Sequence, residues 1–315
     1  LSSDPEYIKF YGGPHVGTRL DSASKRQSSL KLDIASGNTV EFWLKKDSFE
    51  SAKTEREVVV DIFSSINTTP GESNYARLII ELDSSVSSQE NPFCFSFLSG
   101  QQGFRSRSFP TEVDKEISPK AVKLTKNQVM DGTWHHYAVT FQQLVHKVDP
   151  QTNQITYKYT ADLYVDGTHS SQVYELSTND NLIPSVNSYM NGTIGSLGRS
   201  LLIKSSGVST VKQLKGYGKL SGALDEFRFW KIARSAEQIR NYFDTPVFGA
   251  SDNEEIESHL GVYYKFNEGV VGTNSEDSVI LDYSGRINNG QFVGYNSQSR
   301  DLTSAISLST NTEMK

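Results

Sequence analysis

Residues 220–243 read LSGALDEFRFWKIARSAEQIRNYF and join a strand pattern to a helix pattern. Hydrophobic and polar side chains alternate through residues 224–230, as in a β-strand that is buried on one face. Ser235 is followed three residues later by Gln238, which is the spacing of a helix N-terminal capping box. We therefore predict a strand, a sharp corner and one short amphipathic helix near residues 235–243.

The alternation divides the strand residues between two faces. One face carries Asp225, Phe227 and Phe229, and the other carries Leu224, Glu226, Arg228 and Trp230. A carboxylate that shares a face with two phenylalanines needs a partner, because an unpaired buried carboxylate is costly. Since Asp225 and Glu226 are assigned to opposite faces, we do not expect them to act together on one sugar bond.

The composition argues against several classes of function. The 315 residues have a formal net charge of −6 and no block of Lys or Arg, so we expect neither nucleic acid nor membrane insertion. No apolar run approaches the roughly 18 residues that span a membrane. Cys94 is the only cysteine in the sequence, which excludes an intrachain disulfide, and its phenylalanine neighbours indicate a strand position.

Several other stretches show the two-residue period of strands. Residues 40–45 alternate cleanly, and residues 133–145 and 155–165 do so over longer runs. The turn at 149–154 predicts that these two long strands pair, and Asp166-Gly167 has the composition of a two-residue hairpin turn. Many turn-separated strands with one helix are typical of an all-β jelly-roll sandwich of two antiparallel sheets.

The pattern divides the chain into three parts. We expect residues 1–35 to form an N-terminal arm or a first edge strand, residues 36–295 to form the sandwich, and residues 296–315 to form a polar tail. Residues 177–219 are mostly Ser, Asn, Gly and Lys, and we interpret them as an insertion at the sandwich rim. Because the chain begins without Met, we expect a processed product or a piece of a longer protein.

Four segments in order resemble the laminin-G-like branch of the concanavalin A-like lectin/glucanase superfamily. They are GTWHHYAVT at 132–140, LYVDG at 163–167, GALDEFRFW at 222–230 with RSAEQI at 234–239, and GVYYKFNEG at 261–269 with DYSG at 282–285 and NG at 289–290. The resemblance covers residues 36–295 and implies a concanavalin A-like jelly-roll sandwich. Residues 262–295 either complete this sandwich or begin a second repeat, and we favour completion. Members of this superfamily have many functions, so the fold does not settle the activity.

The chain is also similar to laminin-G-like segments in large structural proteins of tailed bacteriophages, especially marine ones. This resemblance implies a location at a virion surface or outside a cell. It also implies glycans or neighbouring structural proteins as partners, within a longer chain or an oligomeric assembly.

Catalysis by glycoside hydrolysis requires two carboxyl groups placed on either side of one sugar bond. The resembling glucanases supply them from one strand as Glu-x-Asp-x-x-Glu. Glu81-Leu82-Asp83 begins this pattern, but Ser84, Ser85 and Val86 follow, so the second acid is missing. We therefore predict a non-catalytic module, with a glycoside hydrolase as the less favoured alternative.

A structural Ca²⁺ is a further implication of the resemblance, since Ca²⁺ prefers carboxylate and carbonyl oxygens from turns. The matching positions are Asp225 and Glu268, with Asp282 as a possible third ligand. The alternative for Asp225 is a hydrogen bond to backbone N–H groups at a strand corner. His135 and His136 are adjacent on a strand, face opposite ways and do not form a metal site.

Sugar binding requires aromatic rings with polar groups beside them on an exposed face. Trp43, Arg228 and Trp230 fall on the polar sides of their strands and could line such a groove. The alternative is that they pack beneath the helix or a long loop. The sequence thus predicts a lectin-like binding or structural module that decorates, attaches or recognises glycans, or a purely structural interaction domain of a particle.

Overall fold

The computed structural model describes residues 7–12, 29–50, 55–64, 75–99, 102–112, 115, 118–178, 190–205, 208–247, 259–269, 272–286, 288–296, 299 and 303–306. Strands dominate this part of the chain and form two large antiparallel sheets and one small hairpin. The described helices are short: α1 (Lys126–Val129), α2 (Ala236–Tyr242) and α3 (Asn274–Asp277). The predicted jelly-roll sandwich is confirmed.

The first sheet has eight strands. Their spatial order is β15 (Val279–Ile280), β16 (Gly290–Val293), β1 (Tyr7–Tyr11), β10 (Met190–Ile194), β3 (Arg56–Ser64), β4 (Ala76–Asp83), β5 (Phe93–Ser99) and β6 (Gln102–Ser108).

The second sheet has six strands. Their order is β14 (Leu260–Tyr264), β13 (Ala223–Trp230), β2 (Asn38–Lys45), β7 (Trp134–Val148), β8 (Ile155–Val165) and β9 (Thr168–Ser177). Two further strands, β11 (Leu201–Ser205) and β12 (Val208–Gln213), pair only with each other.

The inner faces of the two sheets share one hydrophobic core. Phe10 on the first sheet meets Phe227 on the second with ring centroids 5.9 Å apart, and Phe97 similarly meets Phe141 at 4.1 Å. These rings are almost completely buried. Burial of a side chain of this size stabilises a fold by about 1.5–3 kcal/mol, so the core holds the two sheets face to face.

The predicted hairpin and helix are confirmed. Strands β7 and β8 pair along their length, and Asp166 and Gly167 join β8 to β9 with positive φ angles of 46° and 73°, as a tight hairpin turn requires. Helix α2 begins after Ser235, which forms the expected capping box with Gln238. The helix lies on the outer face of the six-stranded sheet, where Ile239 packs against two of its side chains, Ala138 and Tyr164.

A β-bulge at Glu226 makes the predicted faces of Leu224 and Asp225 wrong, while the other residues of β13 lie on the faces predicted for them. Glu226 has a φ of +51°, and the pairing with β2 jumps there from Asp225 opposite Trp43 to Arg228 opposite Glu41. One extra residue moves every side chain before it to the other face. Asp225 therefore lies on the outer face, as does the Glu226 carboxylate, which bonds Arg228.

Two predictions about domain organisation are also wrong. Strand β1, in the predicted arm, lies between β16 and β10 and is not an edge strand. Strand β10, in the predicted insertion, lies between β1 and β3 in the same sheet. Its centre is Gly192, where an added Cβ would lie 2.2 Å from a ring atom of Phe10, so a core aromatic fills the space above this glycine. The predicted tail lies largely outside the described residues.

No helix in the described ranges is long and apolar enough to cross a membrane.

Candidate functional site

The three residues predicted to line a sugar groove are buried beneath α2 and the residues that follow it. Trp43, Arg228 and Trp230 are 8%, 1% and 2% exposed. The Trp43 ring stacks on Phe243 at 6.1 Å, and its indole N–H donates to the Phe243 carbonyl oxygen at 3.3 Å. The guanidinium of Arg234 lies 4.4 Å from the Trp230 ring. The three side chains lie on one sheet face but form no open groove in this structure.

Buried charges hold this covered face together. Glu41, fully buried on β2, bonds Arg234 and lies 3.6 Å from Arg228. Burial alone would raise the pKa of Glu41, but Arg234, His136 and Arg228 together hold it well below its usual value. Sugar binding by the predicted residues would require α2 and the residue after it to leave Arg228 and Trp43, which donate to the Tyr242 and Phe243 carbonyl oxygens.

The predicted calcium ligands are held by backbone N–H groups. Asp225 accepts hydrogen bonds from the N–H groups of Glu226 and Ala305 at 2.9 and 2.8 Å. Glu268 accepts one from the Leu281 N–H at 2.9 Å. These contacts match the hydrogen-bonded alternative for Asp225, while the calcium site itself stays a prediction.

Asp282 occupies a tight turn after β15. Its carboxylate accepts hydrogen bonds from the N–H groups of Tyr263, Ser284 and Asn288 at 3.0, 2.9 and 2.9 Å. Asp225 and Glu268 line a cavity of about 540 Å³ at one end of the sandwich, and Asp282 is not among its lining residues. In the part of the chain described, no three or more His, Cys, Asp or Glu side chains are grouped as metal ligands.

A different groove lies on the outer face of the eight-stranded sheet. Strand β1 turns Ile8 and Phe10 into the core and presents Tyr7, Lys9 and Tyr11 on the outside. The groove has a volume of about 480 Å³. Tyr11 is 53% exposed, so this floor offers an aromatic ring to solvent.

Register places polar side chains beside these aromatic rings. Tyr11 lies opposite Asn191 of β10, and Asn191 lies opposite Phe63 of β3. In the next row Lys9 lies opposite Thr193. The floor of the groove therefore combines aromatic rings with an amide, a hydroxyl and an ammonium group.

The wall of the groove is the segment around Arg199, together with Lys215. The Gly198 N–H donates to the buried Asp61 carboxylate at 3.0 Å. Arg77 of β4 pairs with both oxygens of the same carboxylate at 2.9 Å and donates to the Arg199 carbonyl oxygen. A buried ion pair thus anchors the wall against the sheet.

The sequence contained a signal for this groove. Tyr7, Lys9 and Tyr11 alternate with two apolar residues, which is the pattern of a strand with one buried face. Residues 190–200 gave no comparable signal, because Asn, Gly, Ser and Thr predominate there. The groove forms only when β1, β10 and the wall come together in the sheet.

Three solved structures to which the chain is similar differ widely in source. A Bacteroides ovatus protein provisionally described as carbohydrate-binding is 17% identical, with a TM-score of 0.40, over 92% of this chain and 60% of that one. The extracellular region of zebrafish Gpr126/Adgrg6 is 12% identical, with a TM-score of 0.36, over 91% of this chain and 26% of that one. The CBM40 module of a Ruminococcus gnavus IT-sialidase, bound to α2,3-sialyllactose, is 9% identical, with a TM-score of 0.33, over 76% of this chain and 97% of that one.

The chain spans less than two thirds of the length of the first two proteins. Such identities are too low to transfer a ligand from one protein to another. No curated protein matches the sequence. The sequence profile described as concanavalin A-like lectin/glucanases superfamily, of the Laminin_G_3 type, matches residues 20–240, which is more than half of the chain. Together with the two-sheet sandwich, this match shows that the chain belongs to the concanavalin A-like lectin/glucanase superfamily.

Proposed function

We propose that the protein is a non-catalytic, lectin-like module that binds glycans in the groove on the eight-stranded sheet. The observation that carries this proposal is the half-exposed Tyr11 ring beside Asn191 in a groove of about 480 Å³. Sugar rings stack their C–H faces on aromatic rings, and their hydroxyl groups need donors and acceptors nearby. The side-chain amide of Asn191 can supply both.

The size of the groove supports this proposal. Ligand pockets usually have volumes of about 300–1,000 Å³, so the groove has room for a small oligosaccharide. Tyr7 and Phe63 border it with only 8% exposure each, and their fixed rings form a rigid rim. A preformed site of this kind loses little conformational entropy when a sugar binds.

The absence of catalysis is supported by the positions of the carboxylates. No described Asp or Glu lines the groove, whereas glycoside hydrolysis needs two carboxyl groups at the sugar bond. Glu81 and Asp83, which begin the glucanase-like pattern, both pair with Arg56 at 3.3 Å. Burial raises the pKa of Glu81 despite this pairing. We therefore expect no release of sugar from synthetic glycosides.

The test is a glycan array followed by calorimetry with the best-bound glycan. Replacing Tyr11 with Ala should weaken binding about tenfold, because aromatic contacts contribute about 0.5–1.5 kcal/mol beyond their buried area. Tyr174→Ala is the matched control, since Tyr174 is 55% exposed but lies on β9 of the other sheet. If the array shows no bound glycan, or if both variants bind like the wild type, the proposed function is wrong.

A structural role in a larger assembly is the second candidate. The observation that favours it is a set of exposed apolar side chains that share the outer face of the six-stranded sheet at the far ends of β7 and β9: Leu144, Tyr174 and Leu176. Apolar groups gathered on one surface often mark protein contacts. We propose a virion or cell-surface setting for this role. Light scattering over a range of concentrations tests it, and a monomer at every concentration would count against it.

A further inference from the structure

We propose that the groove selects acidic glycans, whose sugars carry a carboxylate or a sulfate group. This inference rests on the proposed glycan site and specifies its ligand. The groove brings together three cationic side chains from separate parts of the chain: Lys9, Arg199 and Lys215. They converge although the protein as a whole has a net charge of −6. A local cluster of one sign in a cleft attracts the opposite charge.

No described carboxylate cancels the charges of Lys9 and Lys215 inside the groove. Asp61 lies on the same sheet face, opposite Thr193. Its two oxygens, however, bond the Arg77 guanidinium, and one of them also accepts the Gly198 N–H. Asp61 is completely buried, and its charge is balanced by Arg77. Lys9 and Lys215 are therefore not the partners of this carboxylate.

Two of the cations are held in position by aromatic rings, and Arg199 also donates one N–H to the Ser64 carbonyl oxygen at 2.5 Å. The Arg199 guanidinium lies 5.5 Å from the centroid of the Phe63 ring, and the Lys215 ammonium lies 5.8 Å from that of Tyr7. A cation–π contact orients a charged group through the ring face and does not use up its N–H donors. Within the described residues, neither Lys9 nor Lys215 forms an ion pair with a carboxylate. Their ammonium groups are thus placed to bind an anion.

The arrangement favours an acidic sugar over a neutral one for a simple electrostatic reason. A neutral glycan would cover the cations without replacing the water around them by an opposite charge, which is unfavourable. A carboxylate or sulfate would instead accept charge-assisted hydrogen bonds from the same groups. The stacking platform at Tyr11 serves the sugar ring in either case, so the negative group decides the preference.

The experiment compares each acidic glycan with its own neutral form. The array carries oligogalacturonides beside their methyl esters. It also carries sulfated chondroitin oligosaccharides beside two derivatives, one that is desulfated and one that is carboxyl-esterified. We expect at least tenfold tighter binding of an acidic member than of its partner. Binding should weaken as salt rises above about 0.15 M, where the screening length falls below about 8 Å. The two pairs distinguish a carboxylate from a sulfate ester.

Charge-removing variants locate the effect. Lys9→Gln and Lys215→Gln should each weaken binding of the acidic glycan about threefold to fivefold, in line with single exposed ion pairs. Each variant should lower the ratio of acidic to neutral affinity, because the neutral form loses only a hydrogen-bond donor whereas the acidic form also loses an opposite charge. Lys158→Gln is the matched control, because the Lys158 ammonium also lies over a tyrosine, Tyr174, at 4.5 Å, but on the other sheet.

The outcomes separate the two proposals. Equal affinity for acidic and neutral partners overturns the acidic preference and leaves glycan binding intact. Failure of the array to show any binding overturns both. A single-stranded oligonucleotide that competes as well as the acidic glycan would show that the site recognises polyanions with stackable rings, and it would also overturn the acidic-sugar assignment.

Discussion

At the scale of single residues, a paired histidine ties two turns together at one end of the six-stranded sheet. The two ring nitrogens of His135 contact Asp166 at 2.8 Å and Asp131 at 2.9 Å. The hydrogen bond with Asp166 is the main reason that the pKa of His135 is raised to about 9, from an ordinary value of about 6.5. The charged imidazolium therefore persists through neutral pH.

His135→Gln should make the protein less stable at neutral pH but not at high pH. A raised folded-state pKa contributes stability that is complete below about pH 6.5 and is lost as pH rises through about 9. Because the side chain is partly exposed, we expect a loss of only about 1 kcal/mol. Urea unfolding at pH 6.5 and at pH 10 measures the change, with the exposed His146→Gln as the control. An equal loss at both pH values would contradict the ion-pair explanation.

At the scale of elements, the wall of the groove depends on a glycine. An added Cβ on Gly198 would lie 2.5 Å from Cε1 of Phe63 and 2.5 Å from Cγ2 of Thr193. Real Cβ atoms do not approach other atoms so closely. The wall segment would therefore have to move away from Phe63 and Thr193 in the floor of the groove. The wall and the floor are thus one unit, although they come from distant parts of the chain.

Gly198→Ala should destabilise the protein by about 1–3 kcal/mol, which is the usual cost of overpacking. It should also weaken glycan binding, because Arg199 follows the displaced residue. Urea unfolding and calorimetry measure the two effects. Gly269→Ala is the control, since an added Cβ there would meet nothing within 4 Å. Wild-type stability and affinity in the Gly198 variant would show that the wall is not held as described.

The predicted calcium site would join the start of β13 to the segment after β14. The backbone N–H groups that already bond Asp225 and Asp282 predict that removal of calcium changes little. We expect the Tm in EGTA to lie within about 1 °C of that in calcium, which is less than the 2–4 °C that about 1 kcal/mol produces in a domain of about 150–250 residues. A larger drop in EGTA, abolished by Asp225→Asn, would instead support the predicted site.

At the scale of the whole molecule, the two sheets have different outer faces. Helix α2 covers part of the six-stranded sheet, and in that region Glu41, Arg228 and Arg234 form a buried charge network. The eight-stranded sheet carries the groove, with Tyr11 exposed and Lys215 on its wall. Packing rather than residue type therefore decides which aromatic residues can meet a ligand. As tryptophans, Trp43 and Trp230 offer larger rings for sugar stacking than Tyr11 does, but other residues cover them.

The sequence alone determined the class of fold, because two-residue alternation, a capping box at Ser235 and a hairpin at Asp166-Gly167 are local patterns. It also identified the superfamily, which the family match over residues 20–240 confirms. The tertiary structure decided the faces and the site. The bulge at Glu226 reversed the face of Asp225, because a single positive φ shifts a strand by one residue. The groove required β1 and β10, which lie far apart in sequence, to become neighbours in one sheet.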